Sequence, residues 1–534
     1  MKRTNYASYD HTPVYTLKEL LSFCAENYGE KTAFRFQVRK ETAERTYAQF
    51  REEAESLGTW LFANGYRDCR IAVFGENSYE WILTHFAVTG GDNVIVPIDK
   101  DLEPEQISWL LRDSECKAFF YSKSYEDIAD VLKQTEPEVS FYCMNEIPGM
   151  IEAGKALTAN GERSYIEQPV SKDDLASIVY TSGTTGRPKG VMLTHGNFCA
   201  SMYGACCNVL ISGSQILLLP LHHAFGLTAG VFSEMYYGLT TCINKSLKRL
   251  SDDFQKYKPQ HLFAVPLVVE TLYKNIWSAA KKQGKDKALK NLISVSDFLL
   301  KCGIDLRKKL FASVLSAFGG NLGLIISGGA PIDEKYIKGF HSLGIEILNG
   351  YGITECGPIV SVNRNRFNIP GSVGLPLCCN EVKIADDGEI LVRGDNVMIG
   401  YNKNEEENRK VFTDGWFRTG DLGMIDEYGA LHITGRIKNL IILANGENIP
   451  AESIEEEIYT IPYVKEAIVY GQDDQITAEL FLDEDVPGAR EKIDEDIRTV
   501  NRRLPQIRNI GKIIVRDQEF PKTTTKKIIR NQRG

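Results

Sequence analysis

The sequence predicts an α/β protein with three parts: a large N-terminal region of βαβ sheet layers, a small antiparallel β subdomain, and a small α+β C-terminal domain. Three observations lead there. Short apolar runs alternate with amphipathic helical stretches early in the chain, and glycine-rich turns directly follow apolar runs at three later points. Beyond Gly371 the texture changes to regular alternation punctuated by Asp-Gly turns. With 534 residues the chain has room for two or more domains and a large core.

Composition narrows the function classes. A net charge of −9 gives no broad electrostatic footprint for nucleic acid, although local basic patches can still serve an anionic ligand. The twelve cysteines are scattered, with neighbours at Cys206/Cys207 and Cys378/Cys379 but no CxxC and no histidine cluster at zinc spacing. They read as reduced thiols of a cytoplasmic protein. No signal peptide and no transmembrane segment are expected, because neither the N-terminus nor any other apolar run has the required length. Peripheral membrane contact stays open.

In chain order, TYAQFREEAESLGTWLFANG puts Phe50, Ala54, Leu57 and Leu61 on one helical face, with Thr46 as N-cap and Gly65 as stop. The runs RIAVFG, VIVPID and KAFFYS are strands, separated by the helical stretches SYEWILTHFAV and EPEQISWLLRD, which implies parallel sheet. A helix is expected to begin near Asn197. The adjacent His222 and His223 end an apolar run, where side chains on an extended segment point apart, so one is expected to line a pocket and the other to be structural. SGGAP and GYGITECGP each follow a strand and are each expected to lead into a helix. From Gly435 onward a hairpin, a helix starting at Pro450, the strands VKEAIVY, ITAELFL and GKIIVRD, and a helix near Glu491 to Leu504 form one compact unit. The basic tail FPKTTTKKIIRNQRG, taken alone, reads as a solvated end.

The stretch with most chemistry is Tyr180 to His195, YTSGTTGRPKGVMLTH. It joins two β-prone runs through residues rich in glycine and hydroxyls, with Arg187 and Lys189 supplying positive charge. Backbone N–H groups, hydroxyls and cations presented together suit a polyphosphate. It is not a Walker A loop, since Gly190 follows Lys189 where Ser or Thr is required. Composition alone fits an ordinary surface hairpin as well.

Taken with LPLHHAFG, SGGAP, GYGITECGP, GWFRTGDLG, GRIKNLIILANGENIPAESIE and PKTTTKKIIR, this stretch resembles the adenylate-forming superfamily of acyl-CoA synthetases, aryl-CoA ligases and luciferase, most closely its fatty-acid-activating members. The resemblance extends from about residue 175 to the end. It implies ATP-dependent activation of a carboxylic acid as an acyl-adenylate, followed by transfer to the thiol of CoA or to the phosphopantetheine of an acyl carrier protein. It further implies that Thr181, Ser182, Gly183, Thr184, Thr185 and Lys189 cradle the β- and γ-phosphates, that Thr354 touches the phosphate chain and that Glu355 holds Mg²⁺. Adenine is placed against Gly328, Gly329, Ala330 and Tyr351, the ribose on Asp421, with Arg436 assisting, and His223 at the acyl pocket. Lys527 matches the family's catalytic lysine, in place of a solvated tail.

The domains implied are residues 1–435, holding ATP and acid, and 436–534, a mobile domain turning about a hinge near Lys438 to present the segment Ala444 to Asn448. Two positions depart from the common pattern: Lys526 stands where glycine usually precedes the lysine, and Lys438 where aspartate is commoner. Ala224, Phe225 and Gly226 stand where amino-acid-activating relatives carry an aspartate, which disfavours an α-amino acid. The apolar run Phe225 to Tyr237 suits a medium- or long-chain fatty acid, with an aryl acid as the alternative. CoA is the default acceptor. An acyl carrier protein would need a basic patch, for which Lys522, Lys526, Lys527, Arg530 and Arg533 are available. A reading from another class is a nucleotide- or acyl-binding regulatory protein of reduced activity.

Overall fold

The computed structural model describes residues 5–39, 41–181, 188–244, 246–442, 448–472, 475–483, 485–522 and 528–530. The architecture is the expected mixed α/β one. By packing, the chain divides into two compact units, Met1–Glu381 with Arg393–Lys410, and Val382–Val392 with Val411–Gly534. The antiparallel strands before residue 435 thus pack with the C-terminal residues.

The first unit contains a sheet of seven strands among the described residues, in which Val94–Ile98, Arg70–Phe74, Cys116–Tyr121 and Ser140–Cys143 are parallel neighbours in that order, the last at the edge. These runs are apolar at nearly every position because helices cover both faces, so alternation has no solvent side to respond to. Phe74, Val96, Ile98, Ile107 and Phe119 form the core on one face. Leu175–Thr181 and Lys189–Thr194 join this sheet as an antiparallel pair, in register Thr181 with Lys189, and Gly400–Tyr401 adds an edge beside Met192 and Val191. A second sheet, of nine strands among the described residues, holds Leu324–Ser327 between His261–Ala264 and Glu346–Gly352, all parallel. The glycine turns therefore leave two different sheets.

Helix starts follow local capping chemistry. Thr46 accepts from the Gln49 N–H at 3.2 Å and Gln49 accepts from the Thr46 N–H at 3.0 Å, so Tyr47–Ala63 opens where the sequence predicts. Thr194 and Asn197 repeat the device, which starts the next helix at His195, earlier than the expected Asn197. His195 is a structural group: its Nδ1 accepts from the Leu17 N–H at 3.2 Å, and burial lowers its pKa to about 4. The expected helix after GYGITECGP is absent. A single 3₁₀ turn, Thr354–Cys356, leads instead into the antiparallel strand Ile359–Val362, because Gly357 at φ +64° and Pro358 stop helix propagation.

The second unit contains the antiparallel strands Glu389–Gly394, Trp416–Ile425 and Leu431–Arg436, and the later sheet Val464–Gln472, Gln475–Leu482 and Ile510–Arg516. Helices Ala451–Ile458 and Ala489–Arg503 bury Ile454, Ile458, Ile493 and Ile497 against the later sheet's Val469 and Leu480. No helix among the described residues is long and apolar enough to cross a membrane.

One buried group sets an acid limit on stability. His85 is fully enclosed by Trp81, Phe86 and Phe232, and neither ring nitrogen has a hydrogen-bond partner. Burial, then the nearby His195, hold its pKa down to about 3. The folded state therefore binds fewer protons than the unfolded chain between pH about 3 and about 6.5, the ordinary histidine value, so stability is full above that window and falls on acidification. At pH 4.5 the loss due to His85 is about 2–3 kcal/mol. His85→Phe is expected to flatten the fall of the melting temperature between pH 7 and 4.5; an unchanged slope contradicts the assignment.

Candidate active site

The first unit carries the groups assigned to phosphate and metal. Thr181 and Lys189 face each other across the base of the hairpin, while Ser182, Gly183, Thr184 and Thr185 lie outside the described residues. Lys189 does not stand alone. Its ammonium pairs with Glu407 and lies 5.1 Å from the centre of the Tyr401 ring. The Tyr401 hydroxyl donates to Glu355 Oε1 at 2.9 Å, so Lys189 and Glu355 are joined through Tyr401. Burial raises the Tyr401 pKa, and the neighbouring Glu355 carboxylate raises it further, which keeps the phenol protonated and donating.

Glu355 sits on the Thr354–Cys356 turn, half-buried, with its carbonyl accepting from Met398 N–H at 2.8 Å. Asn396 Nδ2 donates to Cys356 O at 3.1 Å and Ile359 O at 2.8 Å, clamping both sides of the turn. The same segment, 396–401, therefore positions Glu355 through both backbone and side chain. Tyr401 and Glu407 were not among the expected site residues. Their contacts arise when the two-residue strand Gly400–Tyr401 docks on the sheet edge.

Among the described residues no three His, Cys, Asp or Glu side chains converge on a metal site. Glu355 is the one assigned metal ligand, and a single carboxylate complemented by phosphate oxygens is a donor set that suits Mg²⁺. The residues fit such an ion as a partner of nucleotide.

Gly328, Gly329 and Ala330 leave the carboxyl end of Leu324–Ser327, with Gly328 N–H donating to Ala264 O at 3.3 Å and Gly329 at φ +87°. On the next strand Tyr351 pairs with Ser361 and is half-buried, so the turn and the tyrosine occupy the same ends of adjacent strands. Ser327 Oγ and Asn349 Oδ1, at the paired last position of the parallel register, are buried without a hydrogen-bond partner. A Cβ on Gly328 would meet the Phe225 ring at 3.2 Å. The glycine turn and the apolar run after His223 are thus in direct contact.

The two histidines correct one expectation. They lie in a turn, not an extended strand, and their rings are 4.3 Å apart at 44°. Asn77 makes the turn by donating to Leu219 O at 2.9 Å and accepting from Leu221 N–H at 3.1 Å. His222 is buried, with Nε2 3.5 Å from Asp99, whereas His223 is half-buried and precedes the short helix Ala224–Leu227. Beyond it Thr228–Phe232 forms a buried π-helical turn, and Thr228 Oγ1 donates to Gly357 O at 3.3 Å.

In the second unit Asp421 and Arg436 are register partners on adjacent strands, with Arg436 Nε 2.6 Å from Asp421 Oδ1. The Asp421 side chain is 3 % exposed and Arg436 41 %, a carboxylate held rigidly beside a more open guanidinium. Lys438 follows in the Ile437–Asn439 turn, and Asn439 Nδ2 donates to Glu452 Oε1 at 2.5 Å. Lys527 and most of the 444–448 segment lie outside the described residues. The chain on either side of Lys527 is anchored: Lys522 bridges Ile528, Ile529 N–H donates to Pro521 O at 2.8 Å, and Arg530 pairs with Glu455. Lys522 also pairs with Glu466 and Glu519. Two cations offered for a carrier-protein patch are therefore engaged within the unit.

Known proteins resemble this chain in sequence and in fold. Residues 21–402 match the family described as AMP-binding enzyme, and residues 438–533 match the AMP-binding enzyme C-terminal domain. The chain is 33 % identical over 429 residues to a long-chain-fatty-acid–CoA ligase, FadD15, of Mycobacterium bovis, covering 75 % of this chain and 71 % of that protein. It is 30 % identical over 542 residues to the chloroplastic long-chain-fatty-acid–[acyl-carrier-protein] ligase AEE15 of Arabidopsis thaliana, covering 84 % and 74 %. Among solved structures it resembles the O-succinylbenzoate coenzyme A synthetase of Bacillus subtilis in complex with ATP and magnesium ion, with a TM-score of 0.74, 25 % identity, and coverage of 96 % of this chain and 98 % of that one.

Proposed function

The chain belongs to the AMP-binding enzyme family, and on that premise we propose that it activates a long-chain fatty acid with ATP and passes the acyl group to CoA. The observation that carries the reading is the linkage of Lys189 to Glu355 through Tyr401, which joins a cation and a carboxylate of the kind that phosphate and its counter-ion need. The acid is assigned from the long-chain ligases that the chain resembles over most of its length. All twelve cysteines are free, which supports a reducing, cytoplasmic setting.

In the first half-reaction the acid's carboxylate oxygen bonds to the α-phosphorus of ATP while the bond to the β-phosphate breaks, giving acyl-AMP and pyrophosphate. Negative charge accumulates as the anion approaches, and Lys189 and Lys527 are the side chains that offset it. Thr181 and Thr354, with Ser182, Thr184 and Thr185, donate hydroxyl hydrogen bonds to phosphate oxygens. Asp421 accepts from the ribose hydroxyls, and Arg436 steadies that carboxylate. Mg²⁺, held by Glu355, supplies further charge neutralisation when bound. In the second half-reaction the CoA sulfur bonds to the acyl carbon, AMP leaves, and the thiol proton goes to solvent. Lys438 is the pivot that lets Lys527 withdraw between the two steps.

His223 and Phe225 begin the acyl site. A methyl on Gly328 presses on the Phe225 ring, so Gly328→Ala is expected to raise KM for long acids by up to about tenfold. Measurement across acids of different length checks this; a uniform effect on every acid would detach Phe225 from acyl selection.

A carrier protein is the second acceptor to weigh, on the similarity to AEE15, but the engagement of Lys522 and Arg530 favours CoA. The test is acid-dependent ATP–pyrophosphate exchange over a series of carboxylic acids, followed by product analysis with CoA and with holo-carrier protein. Exchange peaking with long-chain acids and a CoA thioester as product are expected. Tight ATP binding with no exchange for any acid would make the protein a regulatory binder.

A further inference from the structure

We propose that the helix Asp286–Lys301 and the turn after it, to Lys309, form a docking surface for an anionic lipid bilayer. Residues 281–309 contain nine lysines and arginines against three aspartates, in a chain whose net charge is −9. The helix is seated shallowly, with only Leu289 and Ser296 fully buried along its length. Its outward side carries Val295, 52 % exposed, and Phe298, 65 % exposed, one helical turn apart. Ile304, 49 % exposed, and Leu306, 37 % exposed, extend the apolar ridge into the following turn.

Lysines surround this ridge. Lys287, Lys290, Lys301, Lys308 and Lys309 are exposed, and none of the five is in an ion pair among the described residues. Of the three aspartates, Asp305 pairs with Arg307 at 2.8 Å and Asp297 accepts from Ser342 Oγ at 3.2 Å, while Asp286 opens the helix. An apolar ridge bordered by long cationic side chains lets Phe298 enter the headgroup–acyl boundary while the ammonium groups stay at the lipid phosphates. An acidic protein partner matches the charge but gives projecting apolar side chains no comparable depth. Each lysine near an anionic leaflet strengthens binding roughly fivefold, within a Debye length.

The surface does not depend on the reading of the reaction, because binding to vesicles is measured without turnover. The full chain is sedimented with phosphatidylcholine vesicles, with and without phosphatidylglycerol. Binding to the anionic vesicles, weakened by salt, is expected. Phe298→Ser combined with Val295→Ser should lower the partition about tenfold. Lys287→Glu, Lys290→Glu and Lys301→Glu together should lower it by at least about a hundredfold. Unchanged melting temperatures exclude misfolding. Equal binding to neutral vesicles, or no loss in the charge-reversed variant, overturns the proposal. So does a wild-type chain that ignores vesicles while its Phe298 variant loses self-association or binding to an acidic carrier protein.

Discussion

Lys527→Ala is expected to lower acid-dependent ATP–pyrophosphate exchange by about a hundredfold to a thousandfold, the usual consequence of removing one preorganised donor from developing phosphate charge. The same variant should convert a supplied acyl-adenylate and CoA to thioester at close to the normal rate, because that step leaves the lysine unused. The control is Lys526→Ala, which should change exchange only a few-fold. The assignment uses the chain on either side: Ile528 is bridged to Lys522, and Arg530 is held by Glu455, which fixes where the segment returns to the unit. Reversed effects of the two substitutions would shift the catalytic role to Lys526.

Glu355→Gln is expected to reduce kcat/KM for ATP at ordinary magnesium by at least about a hundredfold, on the scale of weakening a metal site at its own ligand. Glutamine retains an oxygen to accept from the Tyr401 hydroxyl, so the substitution removes charge while leaving that hydrogen bond in place. Tyr401→Phe does the converse, keeping the carboxylate and deleting the donor that holds it, and should cost no more than about tenfold. Partial recovery of the Glu355→Gln variant at raised magnesium identifies the loss as one of metal affinity. If Glu355→Gln stays within threefold of wild type, roughly 0.7 kcal/mol, Glu355 is not the ligand.

Much of this protein could be read from local pattern. The helix Tyr47–Ala63 announced itself through Thr46 and Gln49, and the parallel strands through unbroken apolar runs, because capping and burial on both faces are properties of short segments. Expectations failed where a local pattern had two outcomes. The segment after Glu346–Gly352 fits either a helix or a turn, and the structure chose a turn because the next residues pair back as a strand. His222 and His223 read locally as opposed neighbours on a strand, yet Asn77, remote in sequence, bends their backbone into a turn and brings the rings together.

The sequence by itself determined the chemistry on offer: Lys189, Glu355, Asp421 and Arg436 stand in motifs whose residue types suit a nucleotide. Tertiary structure decided their partners. Glu407 reaches Lys189 across 218 residues, and Tyr401 reaches Glu355 only because Gly400–Tyr401 pairs with the edge of a sheet. A two-residue strand has no periodicity, and a lone tyrosine carries no spacing rule, so neither contact leaves a signature along the chain. Long-range ion pairs and hydrogen bonds depend on where whole elements dock, which is settled by core packing that many sequences satisfy equally well.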